Sequence, residues 1–172
     1  MIKFISCFII LTTSTIGGFV YAESFRKRVK HLNEFERALT QLENEIEYTH
    51  TPLPEALECV AEKSESPVKE IFDKISKLLY RNEVDSVYNA FKKCLANETN
   101  SLNLNLEDIN VILDLSKSLG ESDIEGHRKI FSLVKMNLKK RISIAEESMN
   151  KNLKLYRYLG FSIGAMIVIV LL

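Results

Sequence analysis

HRKIFSLVKMNLKKRISIAEESMNKNLKLYRYLGFSIGAMIVIVLL, residues 127–172, changes character part-way along. Over its first part His127, Phe131, Val134, Leu138, Ile142, Ala145, Met149, Leu153 and Tyr156 recur every 3 or 4 residues. That is the period of one buried helix face. From Leu159 to Leu172 no charge occurs at all. Tyr156-Arg157-Tyr158 sits at the junction, the aromatic and cationic belt expected at a membrane interface. No proline separates the two parts. The spacing therefore predicts one helix from about Asp123 to Leu172, roughly 70–75 Å at the usual rise, amphipathic first and membrane-compatible at its end. Such a rod would hold a domain at a fixed distance from a membrane.

The chain's other end has the same character. In residues 1–22 the only charge is Lys3, and Phe4–Ala22 is apolar apart from Ser and Thr. A helix needs about 20 such residues to cross the hydrocarbon core. Two readings compete. Lys3, the apolar run and Val20-Tyr21-Ala22 resemble a cleavable signal peptide. Against cleavage, the run is long and passes without a break into a helical pattern beginning Glu23-Ser24-Phe25, and the apolar C-terminal tail has no use in a secreted soluble protein. We read a retained anchor at 1–22, a water-facing domain at 23–157 and a second anchor at 158–172. Every one of the 23 acidic residues, and every basic residue but Lys3, lies in the middle segment. That segment is near neutral, which excludes a general nucleic-acid binder.

Arg26, Lys27, Arg28 and Lys30 follow the first anchor, and Lys151, Lys154 and Arg157 precede the second. Basic residues mark the cytoplasmic side, so the domain is expected in the cytoplasm and both termini outside. The second anchor spans only about 21–23 Å, short of the roughly 30 Å core. Local thinning or helix pairing would accommodate it. Ser14-x-x-x-Gly18-x-x-x-Ala22 and Gly160-x-x-x-Gly164 have the small-residue spacing that lets helices approach closely.

Between the anchors, only three prolines and six glycines in the whole chain leave few breakers. Phe25, Val29, Leu32, Phe35, Leu39, Leu42 and Ile46 mark a first helix. Thr51-Pro52-Leu53-Pro54-Glu55 reads as cap, proline and early acid of a second. Ser66-Pro67 opens a third in the same way, and a fourth runs from about Val84. Asn97–Asn103 reads as a loop. Asn105 with Asp108 caps a fifth helix, which Gly120 ends, and Ser122-x-x-Glu125 is a capping box for the last. The fold class is all-α, a bundle of about six helices between two membrane helices. Cys7, Cys59 and Cys94 are odd in number and lack metal spacing, so they read as reduced, buried residues.

Chemical motifs are scarce. There is no phosphate-binding glycine loop, no H-E-x-x-H and no G-x-S-x-G. Glu47-x-x-His50 matches half of a di-iron bundle motif, but no second copy exists. The expectation is no enzyme activity, no cofactor, no metal and no small-molecule substrate. Glu43, Glu45 and Glu47 form an acidic cluster spread over more than one helix face. With Tyr48, Thr51, Pro52 and Glu55 they make the candidate partner-binding turn, against the plainer reading of a solvated helix end and a cap.

Leu42-Glu43-x-Glu45-Ile46-x-Tyr48-x-x-Thr51-Pro52-Leu53-x-Glu55-Ala56-Leu57 resembles the signature of the stage III sporulation protein AB family of endospore-forming bacteria. Leu119-Gly120-x-Ser122-Asp123 and Tyr156-Arg157-x-Leu159-Gly160 resemble its later signatures, so the likeness covers essentially the whole chain. Thr51–Leu57 is also similar to an element of the inner-membrane platform (F) proteins of type II secretion and type IV pilus systems. The resemblance implies an F-domain-like bundle in the mother-cell-derived outer forespore membrane. It implies a platform or adaptor subunit of the mother cell–forespore channel, partnered by a stage III sporulation protein AA-type ATPase and other channel subunits. Homo-oligomerisation stays open. The competing readings are a membrane-anchored helical sensor, against which the basic flanks argue, and a metal-binding bundle enzyme.

Overall fold

A computed structural model describes residues 2–119 and 124–171. The expected Gly120 stop and Ser122…Glu125 capping box lie outside the described residues, as do the side chains of Cys7, His127 and Arg157. Helices are the only regular elements among the described residues, with no strand. The helices are α1 (Ile2–Glu47), α2 (Leu53–Lys63), α3 (Val68–Tyr80), α4 (Val87–Asn97), the single turn α5 (Thr99–Leu102), α6 (Leu106–Ser118) and α7 (Ile124–Leu171). The helix expected to join the last amphipathic segment to the apolar tail is thus one element.

The chain divides into two compact units. One is Lys30–Ser143. There α2 packs on α3, α3 on α4 and α4 on α6. The periodic residues of the sequence supply the core: Leu32, Phe35, Leu39 and Leu42 of α1, and Phe131, Val134, Leu138 and Ile142 of α7, are all buried. Phe35, Phe72 and Phe91 run in a chain, with successive ring centroids 6.1 Å apart, a spacing that adds aromatic attraction to the area buried. Each buried polar side chain here has a partner, as burial demands. His31 donates from Nδ1 to the Leu102 carbonyl, Ser76 to the Pro54 carbonyl, Ser116 to the Leu113 carbonyl, and Asp108 accepts from Arg141.

Four local expectations change. Thr51 does not cap α2: Pro52 holds the N-cap position without a side-chain bond, and Pro54 lies in the first turn. The Thr51 amide instead donates to the Glu45 carbonyl at 3.0 Å and closes the α1–α2 turn. Ser66 does not cap α3 either: Pro67 holds the N-cap position, again without a side-chain bond, and the helix begins at Val68. α4 begins at Val87 rather than near Val84, because the Ser86 side chain accepts from the Asn89 amide and caps it there. Asn97–Asn103 is not a free loop: it contains α5, and Leu102 is fully buried where His31 holds its carbonyl.

The scarcity of glycine also has a structural answer. His50, Asn82 and Asn103 take left-handed φ angles of 52°, 50° and 47° as the chain leaves α1, α3 and α5, a conformation His and Asn tolerate better than most residues. At α3 the Asn82 amide donates to the Leu79 carbonyl and the Glu83 amide to the Leu78 carbonyl, the paired bonds of a Schellman ending.

The other unit joins α1 up to Val29 with α7 from Ile144. Among the described residues, one helix is long and apolar enough to cross a membrane, Arg128–Val170 within α7, and its apolar window is mostly exposed.

Candidate interaction surfaces

The acidic turn is built by the last turns of α1. Glu43 and Glu47, four apart, share the face turned to α7, whereas Glu45 points toward α2. Glu43 pairs with Lys135 of α7. Glu45 accepts from the Gln41 amide at 2.7 Å and pairs with Lys63 of α2 at 3.3 Å. Glu47 pairs with Arg128 of α7 at 3.3 Å, and its other oxygen, Oε1, is buried without a hydrogen-bond partner among the described residues. The Gln41 hydrogen bond, then those of Lys63 and Thr49, hold the Glu45 carboxyl below its ordinary range despite the opposing cost of burial. The Glu47 charge and hydrogen bond hold Arg128 above its own.

The three glutamates are therefore neutralised from within. Their side chains are at most 13% exposed, and they tie α1 to α2 and α7 rather than present free negative charge. What the turn does present is Tyr48, 70% exposed, with Pro52 and Glu55, also exposed. Thr51 is half-buried, its hydroxyl 2.9 Å from that of Thr49. Glu47 and His50 do not converge: Glu47 turns inward to Arg128, whereas His50 is exposed. No group of three His, Cys, Asp or Glu side chains suited to a metal occurs among the described residues. Cys94 is buried and Cys59 half-buried, both as free thiols, and burial pushes the Cys94 thiol up.

Asp108 is a further polar centre, and the sequence showed only half of it. Asn105 and Asp108 cap α6 reciprocally, Asp108 amide to Asn105 Oδ1 at 2.9 Å and Asn105 amide to Asp108 Oδ2 at 3.2 Å. Arg141 Nε then reaches Asp108 Oδ1 at 2.8 Å, and Glu107 pairs with the same guanidinium. Burial works against the Arg141 charge, but its bonds to Asp108 and Glu107 outweigh that and raise its pKa. This cluster positions α6 on α7. No spacing rule joins residues so far apart in the chain.

In the terminal unit the small residues of the two apolar segments face each other, and the helices run antiparallel. Ser14 Oγ donates to the Gly160 carbonyl at 2.7 Å. A methyl group on Gly18 would meet the Tyr156 carbonyl oxygen at 2.8 Å and the Gly160 Cα at 2.9 Å. On Gly164 it would meet the Ser14 Cβ at 3.1 Å. Ala22 is buried. Beyond the small residues Tyr156 packs against Tyr21, centroids 4.6 Å apart, and stacks on Phe25 at 5.8 Å. Large apolar side chains such as Ile16, Val20, Ile163 and Ile169 point outward.

The family described as stage III sporulation protein AB matches residues 3–172. The chain belongs to that family. The stage III sporulation protein AB of Bacillus subtilis (strain 168) is 28% identical over 172 residues, the whole of both chains. A solved structure of stage III sporulation protein AB (SpoIIIAB) is similar with a TM-score of 0.67 and 27% identity, covering 72% of this chain and 97% of that one. Membership supports a role in sporulation, and α7 adds a helix able to reach into a membrane.

Proposed function

We propose that the chain is a non-enzymatic platform subunit of the channel between mother cell and forespore, linking a cytoplasmic ATPase of the stage III sporulation protein AA type to membrane components. Both terminal segments cross the outer forespore membrane as an antiparallel pair, with the helical unit between them in the cytoplasm. The observation that carries this reading is the contact of Ser14 and Gly18 with Gly160 and Gly164. Close packing and an interhelical hydrogen bond are what associate helices in lipid. A cleaved N-terminal segment would leave the groove at Gly160 and Gly164 without its occupant. Pairing also gives the short C-terminal span a longer neighbour, which offsets its mismatch with the bilayer. The basic residues Arg26, Lys27, Lys151 and Lys154, all exposed, fit the cytoplasmic side.

The test is extraction of the tagged full-length chain from membranes of sporulating cells. The expected result is co-purification of the AA-type ATPase with an N-terminally intact chain. A folded, membrane-extracted chain that brings down neither the ATPase nor any other channel subunit overturns the reading.

A further inference from the structure

Within the unit Lys30–Ser143 the basic residues of α7 divide into two sets. Arg128, Lys135, Lys139 and Arg141 each reach an acid on another helix, respectively Glu47, Glu43, Glu36 and Asp108. Lys129 and Lys140 are exposed and pair with nothing among the described residues. Between them, on the same face, stand Leu133 and Met136, 53% and 61% exposed. The spacing Lys129, Leu133, Met136, Lys140 is 4, 3, 4, one stripe about 16 Å long on a single side of the helix. Exposed large apolar side chains so arranged in the water-facing unit, rather than scattered, mark a contact surface. Next to Met136 a groove of about 530 Å³, lined by Glu36, Thr40, Ser132, Lys135 and Lys139, opens between α1 and α7.

We infer that this stripe docks an amphipathic helix of a partner subunit, one that carries two apolar side chains flanked by acids. Charge decides the occupant. A second copy of the chain would set Lys129 against Lys129 or against Lys140, in parallel or antiparallel pairing, and like charges across an interface are costly. A lipid surface is a poor fit, because a helix that lies on a membrane needs a broad apolar face, and here only two residues supply it. An acidic helix satisfies both lysines, and its apolar side chains cover Leu133 and Met136. Glu36, Glu43 and Glu47 of α1 are on this view the inner half of the arrangement: they hold α7 in place from behind and leave the outer lysines free.

The inference deepens the platform reading and rests on it for the identity of the helix's owner. Its test uses the full chain in phosphatidylcholine nanodiscs and a fluorescent helical peptide of pattern Glu-x-x-x-Leu-x-x-Leu-x-x-x-Glu. The acidic peptide is expected to bind and its Lys-for-Glu counterpart not to. Lys129→Glu with Lys140→Glu reverses that preference. Leu133→Ser with Met136→Ser weakens binding by about tenfold or more, as truncating anchor residues does. All four positions are exposed, and unchanged melting temperatures verify the fold of the variants. Equal binding of the two peptides, or undiminished binding by either double variant, overturns the proposal. Quenching of a bimane on Ser132→Cys in a second set of discs, prepared with brominated phosphatidylglycerol added, would give the stripe to lipid and overturn it too. The assay reads the stripe alone. Missing ATPase with intact peptide binding would overturn the platform reading and leave the stripe, and the reverse would overturn the stripe.

Discussion

Asp108 has no exposed surface, and Arg141 supplies the opposite charge beside it. Removing one member of a buried ion pair leaves the other uncompensated, which costs about 3–5 kcal/mol. Arg141→Met is therefore expected to lower the unfolding free energy of the full chain in detergent by that amount, read from urea titration of helicity. Arg141→Met combined with Asp108→Asn should recover much of the loss, and a double variant as unstable as the single would contradict the account. Glu45 makes the pH dependence predictable in sign. Its folded pKa is depressed, first by Gln41. Its contribution is complete above the unfolded carboxyl value of about 4.3 and is lost as pH falls through the folded one. The melting temperature of the wild type should fall on acidification below about pH 5, and that of Glu45→Gln should fall less steeply. Parallel curves would show that Glu45 is not a source of the acid lability.

Helix α1 displays at adjacent positions what a glycine is for. A side chain at Gly18 collides with the backbone of α7, at Tyr156 and Gly160, while one at Gly17 meets nothing within 4 Å. Backbone cannot step aside as a flexible side chain can. Overpacking a contact of this kind costs about 1–3 kcal/mol, so Gly18→Val should lower the melting temperature of the full chain in detergent. Gly17→Val, with the same loss of glycine from the same helix, should leave it nearly unchanged. Equal effects at both sites would mean that helix propensity, not close approach, is at work. The spacing rule singles out Gly18, because small residues four apart share a helix face, and in the structure Gly18 lies against Tyr156 and Gly160. The rule did not show that the facing groove belongs to the same chain's other end.

For the molecule as a whole the prediction concerns orientation. The proposed topology predicts that a reporter active only in the cytoplasm works when inserted between α3 and α4, and that one active only outside works at the C-terminus. The insertion belongs near Glu83, where residues 81–83 are exposed. Asn97–Asn103 is the wrong place, since insertion there would displace buried Leu102 and its bond to His31. Activity in the opposite pattern would show that the basic flanks follow some other constraint.

The all-helical class, the helix faces and the helix through residues 124–171 were legible in the chain. These are local properties: the 3–4 period of Phe131, Val134, Leu138 and Ile142 is visible because one helix turn brings such residues onto one side. The Asn105–Asp108 cap was legible for the same reason, its two bonds closing within one turn. Tertiary structure alone decided what the charges do. Glu43, Glu45 and Glu47 read as a free acidic cluster, yet each is neutralised by a base from α2 or α7, at sequence separations of 18 to 92. Arg141 likewise became visible only when α7 packed on α6. Long-range charge pairing depends on which faces meet, and no periodicity encodes that. The same packing consumed some lysines of α7 and left Lys129 and Lys140 outside, so which charges remain available to a partner is a property of the fold.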